Sequence, residues 1–106
     1  MADLFKNKLA VFFQALGNPL RMEILDLLKQ KKEMCVCEMV ALLKREQSVV
    51  SRHLIALRQA GILDCETKAT RSFYRIKDER IYKIIEIASH ILGKKIREEQ
   101  KAFALI

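Results

Sequence analysis

The sequence places two cysteines one residue apart, at Cys35 and Cys37. Thiolate sulfur is a soft ligand that suits thiophilic ions such as As(III), Sb(III), Cd(II) or Zn(II). In a regular helix, residues i and i+2 lie about 200° apart and do not face each other. Both sulfurs can therefore hold one ion only where the backbone is extended or is distorted at a helix end. This pair lies just before a predicted helix, which is such a place.

Two other interpretations of the pair remain open. One is a couple of small buried residues, and the other is a pair of thiols that oxidise reversibly. Direct disulfide closure across one intervening residue is expected to be strained, so that a partner thiol would react more easily. The residues leave open which ion or oxidant is sensed.

The third cysteine, Cys65, lies on a predicted strand, where we expect a small half-buried residue. An odd number of cysteines in a short chain argues against a disulfide framework. As(III) prefers three sulfurs, so the pair alone is an incomplete ligand set. Cys65 lies on the predicted wing strand, at a distance within one subunit that leaves its part as third ligand open, and water, a small thiol or an N-terminal group are the other candidates.

A second group of chemically useful residues lies on one face of a predicted helix over residues 47–60. At about 100° per residue, Val50, Leu54 and Leu57 form the inner face. The opposite face carries hydroxyl, amide and guanidinium groups, which hydrogen-bond phosphates and base edges. Arg52 is the best candidate for a bidentate contact with guanine or phosphate, whereas His53 lies nearer the inner face, where it would pack or cap. The outer face consists of Ser48, Ser51, Arg52, Ile55 and Gln59.

The chain is basic, with a formal net charge of +7 over 106 residues. An excess of Lys and Arg on a small domain suggests a polyanionic partner, with nucleic acid ahead of an anionic membrane. Lys68 and Arg71 lie in a predicted loop, and Arg75 follows on the next strand. These three residues are placed to reach flanking phosphates or the minor groove.

The surrounding pattern predicts a winged helix-turn-helix in one domain over residues 1–106. Helical periodicity predicts helices over residues 4–16, 38–44, 47–60 and 78–99, and Asn18-Pro19 begins a further helix that ends in the polar run 29–32. Strands are predicted over residues 62–66 and 72–76, with a basic loop over 67–71, because a two-residue turn would favour Gly or Asn. The order is α-α-α-α-β-β-α, mainly helical with a small β-hairpin. The inward residues of the second and third helices are expected to be Met22, Ile24, Leu25, Leu27, Leu28, Met39, Leu42 and Leu43.

Four stretches follow one another along the chain: residues 15–21 (ALGNPLR), 35–39 (CVCEM), 47–54 (QSVVSRHL) and 57–62 (LRQAGI). In this order and spacing they resemble the ArsR/SmtB family of metal-sensing repressors, and the resemblance covers residues 8–92. It implies a homodimer that binds a near-palindromic operator in double-stranded DNA. The recognition helix would then carry the DNA-binding residues Gln47, Ser48, Ser51, Arg52 and His53, supported by Lys68 and Arg71 of the wing.

The Cys-Val-Cys sequence at this place resembles the arsenic- and cadmium-sensing branch of the family. Members of the arsenic type usually have a third cysteine where this chain has Val40. Two further departures are Glu46, where Ser or Asn is common, and Ala69-Thr70, where Gly is frequent. The family's other metal site, on the final helix, does not match the acidic and histidine residues available there, which are Asp78, Glu79, His90, Glu98 and Glu99.

The first and last predicted helices carry apolar stripes wider than this small core can use. Pairing them across a twofold axis would bury this surface and place two recognition helices about one DNA turn apart. We therefore expect a homodimer formed through the first and last helices. The residues concerned are Phe5, Phe12, Phe13, Ile84, Ile91 and Leu92.

Several function classes are disfavoured by the sequence. It has no phosphate-binding glycine loop or nucleophile motif, so we do not expect an enzyme, and no apolar run approaches the roughly 20 residues of a membrane helix. No leader peptide is apparent, so the expected compartment is the cytoplasm. The leading hypothesis is a transcriptional repressor that leaves DNA when As(III), Sb(III) or another thiophilic metal binds Cys35 and Cys37. The alternatives are a thiol-redox or persulfide-responsive repressor and a winged-helix protein-interaction module, and the operator and regulated genes are left open.

Overall fold

The computed structural model describes residues 2–104, and it describes side-chain surroundings as far as residue 102. Within that range the chain is mainly helical with one small antiparallel sheet, which confirms the predicted winged helix-turn-helix. The helices are α1 (Ala2–Leu16), α2 (Pro19–Lys31), α3 (Val36–Leu43), α4 (Gln47–Gln59) and α5 (Ile81–Ala104). The strands are β1 (Glu33–Cys35), β2 (Leu63–Lys68) and β3 (Arg71–Ile76).

α2 begins at the predicted Asn18-Pro19 start. The Asn18 side-chain oxygen accepts hydrogen bonds from the backbone N–H groups of Leu20 at 2.9 Å and Arg21 at 3.1 Å. Pro19 occupies the first helical position, where its missing N–H costs no hydrogen bond. The helix ends in the predicted polar run, where Lys32 takes a left-handed φ of 70°.

A tight turn joins the two helices of the helix-turn-helix. α3 begins two residues earlier than predicted, because Cys35 caps it: the Cys35 sulfur accepts the Glu38 N–H at 3.4 Å, and the Glu38 carboxylate accepts the Cys35 N–H at 3.2 Å. This reciprocal pair is a capping box. α3 ends at Leu43, and the residue that caps it, Lys44, has a left-handed φ of 55°. α4 then begins without a side-chain cap from Glu46.

The sheet has the order β1-β3-β2, with both pairs antiparallel. β1 adds a strand to the predicted order. It is only three residues long, and it pairs Met34 with Tyr74 and Cys35 with Phe73. A strand this short has no alternation long enough to identify it, so its existence depends on pairing with a distant segment.

The β2–β3 hairpin corrects the predicted five-residue loop. Lys68 pairs with Arg71, so that Ala69 and Thr70 alone form the turn. Ala69 has a φ of 56°, in the left-handed region that favours glycine. The loop prediction was wrong because it relied on the usual Gly or Asn preference, whereas the paired strands hold Ala69 in this conformation.

The core lies between the helices and the inner face of the sheet. The inner face of α4 is confirmed, because Val50, Leu54 and Leu57 are fully buried. Met22 and Leu42 were expected to face inward, but both are exposed. They lie more than about 100° around their helices from the centre of the buried stripes. Other fully buried side chains are Ile24, Leu25, Leu28, Met34, Met39 and Leu63.

α5 packs on the core through its first turn and then extends away from it. Ile81 is buried, and the Tyr82 hydroxyl donates a hydrogen bond to the Leu25 carbonyl at 2.7 Å. Burial, with the charges of Asp26 and Glu79, raises the pKa of Tyr82 to about 12. The extension of α5 gives a radius of gyration of 16.7 Å, against about 13 Å for a compact domain of this size. No helix in the described range is both long and apolar enough to cross a membrane.

Candidate functional site

The outer face of α4 brings most of the predicted DNA-binding residues together. Gln47, Ser48 and Arg52 are exposed, and Ser51 is half-buried beside them. The inner face of the same helix is locked into the core, so the orientation of this polar face is fixed by packing. The face therefore presents hydroxyl, amide and guanidinium groups on a rigid element, and their contact with DNA stays a prediction.

His53 connects α4 to the start of α2. Its Nδ1 accepts a hydrogen bond from Arg21 Nε at 3.0 Å, and Arg21 Nη1 also donates to the Ala15 carbonyl at 3.2 Å. Burial, followed by the charges of Arg21 and Arg52, lowers the pKa of His53 below 6.5. A neutral imidazole is the form that can accept the Arg21 hydrogen bond. His53 thus joins α4 to α2 through a hydrogen bond, and its contact with DNA stays a prediction.

The wing carries three basic residues in different surroundings. Lys68 Nζ lies 3.0 Å from the Glu33 carboxylate and 5.3 Å from the centre of the Phe73 ring. Arg75 Nη1 lies 3.1 Å from the Glu66 carboxylate. Arg71 is exposed and makes no ion pair within residues 2–102. Ion pairs therefore hold Lys68 and Arg75 along the sheet, whereas Arg71 lies at the tip of the wing.

Cys35 and Cys37 are joined by a disulfide bond. Their Cα atoms lie 5.4 Å apart, which is ordinary for a disulfide. This spacing arises because the chain passes from extended backbone at Cys35 into the first turn of α3. The direct bond forms within one chain at an ordinary Cα separation, and the relative ease of closure with a partner thiol stays a prediction. Cys35 is only 2% exposed, whereas Cys37 is exposed.

A cavity of about 200 Å³ opens beside the cysteine pair. Its walls come from the start of α3, the first residue of α4 and the wing turn. A solute in this cavity would lie beside the cysteine pair and would touch both elements that are predicted to read DNA. The lining residues are Cys35, Val36, Cys37, Gln47, Thr70, Arg71 and Ser72.

Cys65 lies on the opposite face of the sheet from Cys35. Cys65 pairs with Tyr74, whereas Cys35 pairs with the adjacent residue, Phe73, and successive residues of a strand point to opposite faces. Cys65 is half-buried against the core. Burial of Tyr74, followed by the neighbouring Cys65 thiol, raises the pKa of Tyr74. In the described part of the chain, no group of three or more His, Cys, Asp and Glu side chains is placed to hold a metal ion.

Glu38 and Arg21 support the site but were absent from the predicted residues. Glu38 closes the capping box at Cys35 and lies 3.7 Å from the Lys31 ammonium group. The spacing Cys-x-x-Glu resembles the Ser/Thr-x-x-Glu capping box and was a usable signal. Arg21 reaches His53, which lies far along the chain, so no local pattern indicated that contact.

Comparison with known proteins identifies the family. The sequence profile described as "Bacterial regulatory protein, arsR family" matches residues 18–64. An uncharacterized HTH-type transcriptional regulator of Methanocaldococcus jannaschii is 39% identical over 85 residues, which cover 80% of this chain and 96% of that protein. The chain belongs to the ArsR family. It is therefore a transcriptional regulator of winged helix-turn-helix type, and the expectation that it is not an enzyme is confirmed.

One further relative and one solved structure are also similar to this ArsR-family chain. The arsenical resistance operon repressor of Bacillus subtilis is 38% identical over 69 residues, which cover 65% of this chain and 66% of that protein. The solution structure of a homodimeric winged helix-turn-helix DNA-binding domain from Mycobacterium bovis, a possible ArsR-family regulator, has a TM-score of 0.79 and 25% identity. That match covers 92% of this chain and 89% of the other. The fold of this ArsR-family chain is thus shared over nearly its whole length.

Proposed function

We propose that this chain is a repressor that binds a near-palindromic operator as a homodimer and leaves it when a thiophilic ion binds Cys35 and Cys37. As(III) and Sb(III) are the first candidates, and Cd(II) and Zn(II) follow. The observation that carries the proposal is the cavity beside the cysteines, because Gln47 of α4 and Arg71 of the wing also line it. Such a repressor would act in the cytoplasm, where DNA and reduced thiols occur together.

The chemistry of the cysteine pair fits a soft ion once the disulfide is reduced. The Glu38 N–H, which donates to the Cys35 sulfur at 3.4 Å, and the N-terminus of α3 both favour thiolate over thiol. Cys37, in the first turn of the same helix, supplies a second sulfur close to the first. Water, a small thiol or a group from another chain completes the ligand set.

Ion capture would reach the DNA-reading elements through two connections. Cys35 is the N-cap of α3 and is also the β1 partner of Phe73 in the sheet, so its position affects both α3 and the wing. An ion in the cavity also lies against Gln47 and Arg71. A ligand shifts an equilibrium only by its difference in affinity for the two states, so the ion must bind the DNA-free form more tightly.

The homodimer is supported by the apolar surface that α1 and α5 leave exposed. A groove of about 480 Å³ lies between the first half of α5 and Phe12, which is half-buried against the core rather than exposed. A second copy would bury this surface and present two α4 helices to two operator half-sites. The exposed apolar residues of the two helices are Leu4, Phe5, Leu9, Val11, Phe13, Ile84, Ile87, Ile91, Leu92 and Ile96.

A titration of DNA-bound protein tests the proposal. Reduced protein is bound to a labelled duplex from upstream of its own coding sequence, and As(III) is added while fluorescence anisotropy is followed. Binding should weaken steeply with salt, which a protein-interaction module would not show. We expect Cys35→Ser and Cys37→Ser to bind DNA and to remain bound when As(III) is added. Cys65→Ser is the matched control and should release like the unmodified chain, and undiminished release by the first two variants would contradict the proposal.

The disulfide supports a second candidate, a repressor that responds to thiol oxidation. In that reaction Cys35 and Cys37 lose two protons and two electrons to an oxidant such as hydrogen peroxide, which is reduced to two water molecules as the S–S bond forms. A persulfide on one thiol would close the same bond with loss of hydrogen sulfide.

The redox candidate has its own test. DNA affinity is measured for the dithiothreitol-reduced protein and for protein oxidised with peroxide, and the oxidised sample is then reduced again. The candidate predicts a loss of affinity on oxidation and recovery on reduction, in the unmodified chain and in Cys65→Ser alike. Equal affinity of the oxidised and reduced forms rules it out and leaves ion release as the remaining candidate.

A further inference from the structure

Ile55 is a large apolar side chain on the polar outer face of α4. It is 48% exposed and does not pack against the core. Helical geometry places it on the same side as Ser48, Arg52 and Gln59. A half-exposed isoleucine among hydroxyl, amide and guanidinium groups loses contact with water only when something covers that face.

We propose that Ile55 contacts the 5-methyl group of a thymine in the major groove and so selects thymine at one position of each half-site, an inference that rests on the proposed DNA-binding function. Among the four bases only thymine presents a methyl group in that groove. An isoleucine offers no hydrogen bond to the polar edges of the other bases, so those edges would lose water without gaining a partner.

The surroundings of Ile55 favour DNA over a protein partner. Protein docking surfaces are usually contiguous apolar patches. The extended apolar surface of this chain lies on α1 and α5, whereas Ile55 stands alone within α4 as an exposed large apolar residue. Its neighbours one turn before and after are Ser51, Arg52 and Gln59, which are groups that contact DNA.

The spacing from Arg52 limits where the thymine lies. Ile55 follows Arg52 by three residues, or about 4.5 Å along the helix axis. Successive base pairs are separated by about 3.4 Å. The selected thymine should therefore lie within about two base pairs of the position that Arg52 contacts.

A methyl-deletion experiment tests the proposal. Duplexes that bind the reduced protein are first selected from a random pool. In the selected duplex, each thymine is then replaced by deoxyuridine, symmetrically in both half-sites, so that only the 5-methyl group is removed. We expect one symmetric pair of positions at which the replacement weakens binding about fourfold per half-site. This factor corresponds to the free energy gained by burying one methyl group.

Variants assign this effect to Ile55. Ile55→Ala should bind more weakly and lose the uracil effect at that position, whereas Ile55→Val, which keeps branched methyl groups, should retain most of it. Leu42→Ala is the matched control, because Leu42 is also an exposed aliphatic residue but lies on α3. Failure to select any duplex contradicts the proposed function itself. A selected duplex that tolerates uracil everywhere, or an undiminished uracil effect in Ile55→Ala, overturns the inference and leaves the repressor intact.

Discussion

Arg71 and Lys68 flank the wing turn, but their charges are not equally available to a phosphate. Lys68 is 3.0 Å from Glu33, whereas Arg71 has no ion pair within residues 2–102. We predict that Arg71→Ala weakens operator binding about tenfold and reduces the salt slope by about one per subunit. Lys68→Ala is the comparison and should have less than half of either effect. Anisotropy titrations at several salt concentrations measure both, and equal effects would contradict this account of the wing.

His53 makes the stability of the fold depend on pH. Its pKa in the folded chain is below 6.5 because of burial and the nearby Arg21 and Arg52 charges. As the pH falls through 6.5, the unfolded chain takes up the proton first, so stability is lost on acidification and is fully present at higher pH. His53→Asn keeps an acceptor for Arg21 but has no imidazole to protonate. Its melting temperature should fall less than that of the unmodified chain between about pH 7.5 and about pH 5.5. An equal fall would show that His53 does not carry the effect.

The residues of the site were predictable where the signal is local. The polar face of α4 followed from helical periodicity, and the cysteine pair from its spacing beside a helix start. The pairing of Lys68 with Glu33, and of Arg21 with His53, joins residues far apart in the sequence and depends on the folded sheet and helix packing. The disulfide was missed because its closure depends on how the backbone turns between Cys35 and α3, which the spacing alone does not give.

The wing turn carries local backbone strain at Ala69. Ala69 has a φ of 56°, which costs a residue with a Cβ about 1–2 kcal/mol relative to glycine. We predict that Ala69→Gly stabilises the fold by up to about 1 kcal/mol, after the entropy of the unfolded glycine is subtracted. Thr70→Gly is the control, because Thr70 has no positive φ to relieve, and it should destabilise by about 0.5–1 kcal/mol. Urea unfolding measures both, and a loss of stability in Ala69→Gly would contradict the assigned turn.

Elements set by local chemistry were predicted well, and elements set by long-range pairing were not. The Asn18-Pro19 start of α2 and the buried stripe of α4 follow from capping and periodicity. β1 exists because β3 pairs with it across a long separation in sequence, with Cys35 opposite Phe73. No short window of sequence contains both members of the Cys35–Phe73 pair.

At the scale of the whole molecule, the exposed apolar surface along α5 is larger than expected for a protein that stays a monomer. Ile91 is 68% exposed, so we predict that Ile91→Glu weakens dimerisation at least tenfold, because it places a charge where the proposed second copy would pack. His90→Glu, on the charged side of the same helix, is the control and should leave the dimer unchanged. Sedimentation equilibrium measures the dissociation constants. Equal constants for the two variants would place the dimer contact elsewhere.

The most direct test of the ion-release mechanism follows the sulfurs and the DNA in one sample. As(III) is added to the reduced protein on a labelled duplex while ultraviolet thiolate charge-transfer absorption and DNA anisotropy are recorded together. The mechanism predicts that both signals saturate together at about one ion per subunit, and that protein with the closed disulfide gives neither change. Absorption that saturates while the duplex stays bound, or DNA release without absorption, would contradict it.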